Sequence, residues 1–119
     1  MAKVLIVEDN ESNLYMMRFI LLKLGHQIVE ARDGLMGLKM AEEEKPDLIL
    51  MDIQLPLMDG YTLTRKIRER EDLKNIPIIA VTSYAMVGDR EKAIEAGCTA
   101  YVEKPINPEK FIEEVKKYV

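Results

Sequence analysis

Short unbroken apolar runs alternate along the chain with longer stretches whose apolar residues recur at helical spacing. Runs suited to buried strands fall at Val4 to Val7, around Ile28 to Ala31, at Leu48 to Met51, at Ile78 to Val81 and at Ala100 to Val102. Between the first two, Leu14, Met17, Ile20 or Leu21 and Leu24 make one stripe, and Gly25 stands where a left-handed cap would close a helix. A second helix is predicted over Met36 to Glu44, stopped before Pro46, and a third over Tyr61 to Arg70. Asp89 to Ala96, followed by Gly97, reads as a fourth. Pro108 in a first-turn position opens a fifth, with Phe111, Ile112, Val115 and Tyr118 spaced for burial.

Strands that are apolar throughout, rather than at alternate positions, are buried on both faces, which helices on both sides of a parallel sheet produce. The expectation is therefore a three-layer α/β domain, doubly wound, with five strands and five helices. With right-handed crossovers the flavodoxin-like strand order is 2-1-3-4-5. The chain shows no internal repeat, low-complexity segment or long linker, and is read as one domain over residues 1–119.

Bulk composition narrows the partners. A chain of 119 residues, 48% hydrophobic, can bury roughly two-thirds of its unfolded surface in one core. Seventeen basic against 21 acidic residues give a net charge of −4, which argues against a nucleic-acid surface. One Cys and one His exclude an internal disulfide and a histidine metal site, and suit a reducing cytoplasm. The apolar run in MAKVLIVEDN is too short for a signal peptide or a membrane span, and no membrane association is expected.

In such a sheet all carboxyl ends of the strands share one rim, where ligands bind. The first strand ends in Glu8 and Asp9, the third in Asp52, the fourth in Thr82 and Ser83, and the fifth in Glu103 and Lys104. Each has an ordinary explanation taken singly. Acids suit a helix amino end that Asn10 or Ser12 could cap, Asp52 could form a turn, Thr82 could finish a strand, and Lys104 could be a solvated loop residue. Their coincidence on one rim has no such explanation. Carboxylates crowded in a partly dry crevice repel unless a cation neutralises them. An all-oxygen donor set selects a hard ion, Mg²⁺, with Mn²⁺ the alternative. Metal, ammonium and hydroxyl around Asp52 would cradle a phosphoryl group and leave this carboxylate as the nucleophile of an acyl phosphate.

The stretches VLIVEDN, PDLILMDIQLPLMDG, IPIIAVTS and AGCTAYVEKPI, with the final amphipathic helix, resemble the receiver (CheY-like) domain of two-component response regulators over essentially the whole chain. Among receivers the chain is most similar to single-domain DivK-type regulators and to the receivers of hybrid kinases. The resemblance implies that Asp52 is the phosphoacceptor. It makes Asp9, Asp52 and the backbone carbonyl of Gln54 metal ligands, with Glu8 acting mainly through metal-bound water. Thr82 becomes the switch hydroxyl, Lys104 the phosphate-binding lysine and Tyr101 the switch aromatic, and the Lys104–Pro105 peptide is expected to be cis. Gln54 and Tyr84 stand where the family tunes dephosphorylation. Ser83 replaces a frequent alanine.

The implied activity is phosphorelay signalling. A histidine kinase or histidine phosphotransferase would phosphorylate Asp52, approaching beside helix one, where Asn13, Leu14 and Met17 are candidate contacts. The surface of helix four, strand five and helix five would then report to a downstream protein, with a phosphorylation-dependent homodimer as a further expectation. No DNA-binding module follows within the sequence, so output is expected through protein contacts. The chain is read as a self-catalysing phosphoacceptor rather than an enzyme. A haloacid-dehalogenase-like aspartyl phosphatase would need a second acid where Gln54 stands, and a flavin carrier would not place the acidic EDNESN at its phosphate loop. His26 reads as a turn residue and Cys98 as a small buried hydrophobe. Most of the eight methionines read as core filler, with Met58 and Met86 as soft partner contacts. The runs EEEK and RKIRERED read as solvated helix faces.

Overall fold

A computed structural model describes residues 1–83 and 88–119, so the expectations for Tyr84 and Met86 lie outside the described residues. The elements run β1 (Lys3–Val7), α1 (Glu11–Lys23), β2 (Gln27–Ala31), α2 (Gly34–Glu44), β3 (Leu48–Met51), α3 (Gly60–Arg68), β4 (Ile78–Thr82), α4 (Asp89–Ala96), β5 (Ala100–Glu103) and α5 (Pro108–Lys116). All strand pairs are parallel, as the apolar runs predict, and the sheet order is β2-β1-β3-β4-β5, the flavodoxin-like order expected with right-handed crossovers.

Each central strand splits its residues between two cores, as a period of two requires. Leu5, Val7, Ile49, Met51, Ile78 and Ala80 pack with Leu63 and Ile67 of α3, Ala41 of α2 and Ala93 of α4. Val4, Ile6, Leu48, Leu50, Ile79 and Val81 pack on the other face with Leu14, Met17 and Leu21 of α1 and Phe111 and Val115 of α5. Helices thus cover both faces. Both edge strands depart from the expectation of full burial: only Ala31 is buried in β2 and only Val102 in β5, because no strand lies outside either.

Helix boundaries shift where a side chain caps earlier than periodicity suggests. Asp33 accepts from the Met36 amide at 2.7 Å, so α2 starts at Gly34 rather than Met36. Asp59 accepts from the Thr62 amide at 2.9 Å and starts α3 at Gly60, and this helix closes at Arg68 rather than Arg70. Asn10 caps α1, and Gly25 takes the expected left-handed conformation, with φ +89°. Among the described residues no helix is long and apolar enough to cross a membrane.

One charged run is misjudged as solvated. Within RKIRERED, Arg68 is half-buried and donates to three backbone carbonyls, those of Gly97, Lys74 and Ile76.

Candidate phosphoryl and metal site

The strand ladders continue one hydrogen bond past the strands and so fix the rim. Glu8 N–H donates to Ala31 O at 2.9 Å, Asp52 N–H to Val7 O at 2.9 Å, and Lys104 N–H to Thr82 O at 2.8 Å. The backbone of each chemical residue is thereby set by its neighbouring strand. Behind Asp52 the chain needs close approach: a Cβ on Gly60 would stand 2.7 Å from Asp52 O and from Ile53 Cα. The first turn of α3 therefore presses on the loop that carries the carboxylate.

One oxygen from each of Glu8, Asp9 and Asp52 lies within 4.8 Å of the others. Glu8 is fully buried, Asp52 is 7% exposed, and Asp9 is exposed. Lys104 Nζ lies 2.7 Å from Glu8 Oε1 and 3.2 Å from Asp52 Oδ2. Asp52 Oδ1 accepts from the Gln54 amide at 3.2 Å, and Glu8 Oε2 from the Asn10 amide at 3.2 Å. Glu8 Oε1 has no donor aligned on it among the described residues, despite the nearby ammonium. Burial lifts the Glu8 carboxyl to about 7, opposed by Lys104 and reinforced by the charge of Asp52.

This arrangement fits a hard divalent cation. Three carboxylates face one ammonium, and the donors are all oxygen. The open cleft above them, of about 470 Å³, is lined by Asp9, Asn10, Asn13, Asp52, Gln54, Ser83, Lys104 and Pro105. Asn10 belongs to this lining although the sequence marked it only as a helix cap, and Ser83 lines it as a strand-end residue of the rim.

The remaining site residues fall in two groups. Thr82 is 1% exposed at the end of β4, and the register pairs Ala80 with Tyr101 and Thr82 with Glu103. Thr82 and Tyr101 thus share one face of the sheet, with Tyr101 half-buried against the α2–α3–α4 core. Burial, and then Asp89, Glu103 and Tyr61, raise the Tyr101 hydroxyl above its ordinary value. The Lys104–Pro105 peptide is cis, as expected.

The expected partner contacts on α1 need correction. Leu14 is fully buried and Met17 is 1% exposed, because the stripe they form faces the sheet. Neither offers a surface. Asn13 does line the cleft, and the side chains that α1 turns outward are Tyr15, Met16, Phe19 and Leu22. Cys98 is buried, as expected, 3.7 Å from the Thr64 hydroxyl. His26 does more than turn the chain, since its Nδ1 accepts from the Ala2 amide at 3.2 Å.

Comparison with known proteins gives the family. The family description "Response regulator receiver domain" matches residues 4–116. The polar-differentiation response regulator DivK of Brucella anthropi is 46% identical over 116 residues, covering 98% of this chain and 94% of that protein. The receiver domain of sensor histidine kinase PA1611 from Pseudomonas aeruginosa PAO1, solved with a magnesium ion coordinated in its active-site cleft, superposes with a TM-score of 0.91. It is 37% identical, covering 98% of this chain and 96% of that one. The chemotaxis response regulator CheY4 of Vibrio cholerae gives a TM-score of 0.93 at 28% identity, over 100% of this chain and 99% of that one.

Proposed function

The chain belongs to the response regulator receiver domain family, the phosphoacceptor module of two-component signalling, and from that premise we propose that Asp52 carries its phosphoryl group. The observation that carries this reading is the convergence of Asp52 with Glu8, Asp9 and the Lys104 ammonium at one rim.

The donor is a phosphohistidine on a kinase or phosphotransferase. An Asp52 carboxylate oxygen attacks phosphorus, the O–P bond forms as the N–P bond breaks, and the leaving imidazole takes a proton from solvent. The Gln54 amide and Lys104 each hold one oxygen of Asp52, which fixes the direction of attack. Asp9, Asp52 and the Gln54 carbonyl would hold a magnesium ion, with Glu8 behind them, and that ion supplies charge neutralisation for the transferring phosphoryl oxygens. Lys104 follows the phosphoryl group, and the Thr82 hydroxyl turns to donate to one of its oxygens. The donor approaches past Asn13, beside the apolar side chains Tyr15, Met16 and Phe19 of α1.

The acyl phosphate adds up to about two negative charges and three strong acceptors at the rim. Because Thr82 and Tyr101 share a face, movement of the hydroxyl changes the space beside the ring, and the α4–β5–α5 surface reports the change to a downstream protein. A cleft of about 480 Å³ on that surface is lined by Arg90, Tyr101, Glu103, Lys110, Glu113 and Glu114 among others. The single unpaired Cys98 is consistent with work in a reducing cytoplasm.

Incubation with acetyl phosphate tests the reading. Mass spectrometry is expected to show one added phosphoryl group that requires Mg²⁺ and disappears in Asp52→Asn. Labelling independent of Mg²⁺, or retained in that variant, would overturn the assignment. Sustained turnover of phosphate esters would point to a phosphatase instead.

A further inference from the structure

Helix α1 is apolar on two opposite sides. Leu14, Met17 and Leu21 face the sheet and are buried. The outward side carries Tyr15 at 60%, Met16 at 37%, Phe19 at 51% and Leu22 at 54% exposure, and Ser12 is exposed beside them. Ser12, Tyr15, Phe19 and Leu22 follow one another at alternating intervals of three and four residues, the spacing that lines up one row of side chains against a second helix. The row is already ordered, since the Tyr15 and Phe19 rings stack with centroids 6.3 Å apart and planes inclined by 16°. A shallow hollow of about 510 Å³ beside it is lined by Glu11, Ser12, Tyr15, Met16 and Phe19.

Charge selects the direction of what covers this face. Glu11 stands at its amino end and Lys23 at its carboxyl end, the latter 5.2 Å from the Phe19 ring centroid. Arg32 offsets part of the Glu11 charge, and Glu30 offsets Arg18 at the flank. A second α1 running parallel would meet Glu11 with Glu11 and Lys23 with Lys23. Running antiparallel about a two-fold axis level with Met17, it sets Tyr15 against Phe19, the small Ser12 against Leu22, and Glu11 against Lys23. The helix dipoles then also oppose, which favours the same direction. The face is thus complementary to itself, which is what a two-fold contact requires.

We propose that the outward face of α1 is the interface of a weak symmetric homodimer, in which α1 pairs antiparallel with α1 of a second copy. Taking about 200 Å² for each large side chain when fully exposed, Tyr15, Met16, Phe19 and Leu22 offer roughly 400 Å² of apolar surface per copy. That exceeds what scattered surface residues present, yet two such faces stay below the roughly 1,200 Å² of stable complexes. The dimer therefore forms with a dissociation constant on the order of 100 μM. It invokes neither metal nor phosphoryl group, so it stands apart from the signalling reading. A protein phosphodonor passing beside Tyr15 and Phe19 is the rival occupant of the same face.

Sedimentation equilibrium of the full chain, without Mg²⁺ or phosphodonor, is the first arm. Between about 10 μM and about 1 mM the average mass is expected to climb from that of one chain toward that of two. A constant mass over this range would overturn the proposal and leave the face to the donor, and this measurement needs no variant to fold. A dilution series followed by amide shifts locates the contact. Ser12, Tyr15, Phe19 and Leu22 are expected to move with concentration, while Lys110 and Glu113 of α5 stay. Movement confined to α5 would place the dimer elsewhere and defeat the proposal. The last arm tests direction and register. In an antiparallel pair Glu11→Lys or Lys23→Glu brings like charges together at both ends, and each is expected to weaken association on the order of tenfold at low salt. An equimolar mixture of the two variants should associate as the wild type does, because each supplies the charge that the other lacks. Single variants that associate like the wild type, or a mixture no stronger than its components, would rule out the antiparallel pair.

Discussion

Lys104 Nζ donates to Asp52 Oδ2 at 3.2 Å, although these residues leave β5 and β3 and the whole of β4 lies between them. Two strand spacings of about 4.8 Å must be crossed, which demands a side chain as long as lysine. The same ammonium is the cation beside buried Glu8, so Lys104→Met removes a phosphoryl contact and strands a buried carboxyl. Acetyl phosphate labelling is expected to slow on the order of a hundredfold, and denaturant melts near pH 8 to lose about 3 kcal/mol. Labelling at the wild-type rate would show that the ammonium does not serve the transfer.

Glu8 makes the metal-free protein sensitive to pH. Its carboxyl titrates near 4.5 when unfolded and is raised to about 7 by burial in the fold. Between these values the folded state binds more protons than the unfolded one, so stability falls as pH rises. The penalty is absent below about 4.5, grows through the window, and is complete above about 7, where it reaches about 3 kcal/mol. Melts of the wild type and Glu8→Gln in EDTA should therefore diverge from pH 5 to pH 8, the wild type losing more. Mg²⁺ should narrow the gap at the upper end by neutralising the carboxylates. Parallel profiles would mean that Glu8 is not held out of water.

Much of this was legible before any coordinates, because β1, β3 and β4 are buried on both faces and so appear as unbroken apolar runs whose polar ends mark the rim. Where one residue type suits two environments, the sequence was ambiguous. Helix α1 is apolar on both sides, so the sequence put Leu14 and Met17 on its stripe and also among the candidate partner contacts, and could not show that they face the core while Tyr15, Met16 and Phe19 face outward. Arg68 lay hidden in a run of charges, since its role depends on three carbonyls brought to it by separate loops. Asp33 and Asp59 cap α2 and α3 ahead of the first apolar-periodic residue, so periodicity alone places both helix starts too late.

Thr82 separates acceptance of the phosphoryl group from transmission. Its side chain is buried on the same sheet face as Tyr101, while the Gln54 amide and the Lys104 ammonium each hold one oxygen of Asp52. Thr82→Ala is expected to take up phosphoryl from acetyl phosphate with the stoichiometry of the wild type. Its amide spectrum should lose the phosphorylation-dependent shifts around Tyr101. Shifts of wild-type size in the variant would remove the hydroxyl from the path.

Gly60 tests whether the helix behind Asp52 sets the geometry of attack. A Cβ at this position meets Asp52 O and Ile53 Cα at 2.7 Å, and both are backbone atoms that cannot rotate away. Alanine is otherwise the better helix former by about 1 kcal/mol, so the clash and the propensity oppose each other. Overpacking of rigid backbone costs about 1–3 kcal/mol and should win. Gly60→Ala is expected to lower stability and, by displacing the Asp52 loop, to slow labelling about tenfold. Gly25→Ala is the control: φ is +89° there, but nothing lies within 4 Å of the added carbon. That variant should lose about 1 kcal/mol to backbone strain while labelling at the wild-type rate. If both variants label alike, proximity of α3 to the carboxylate loop has no bearing on the transfer.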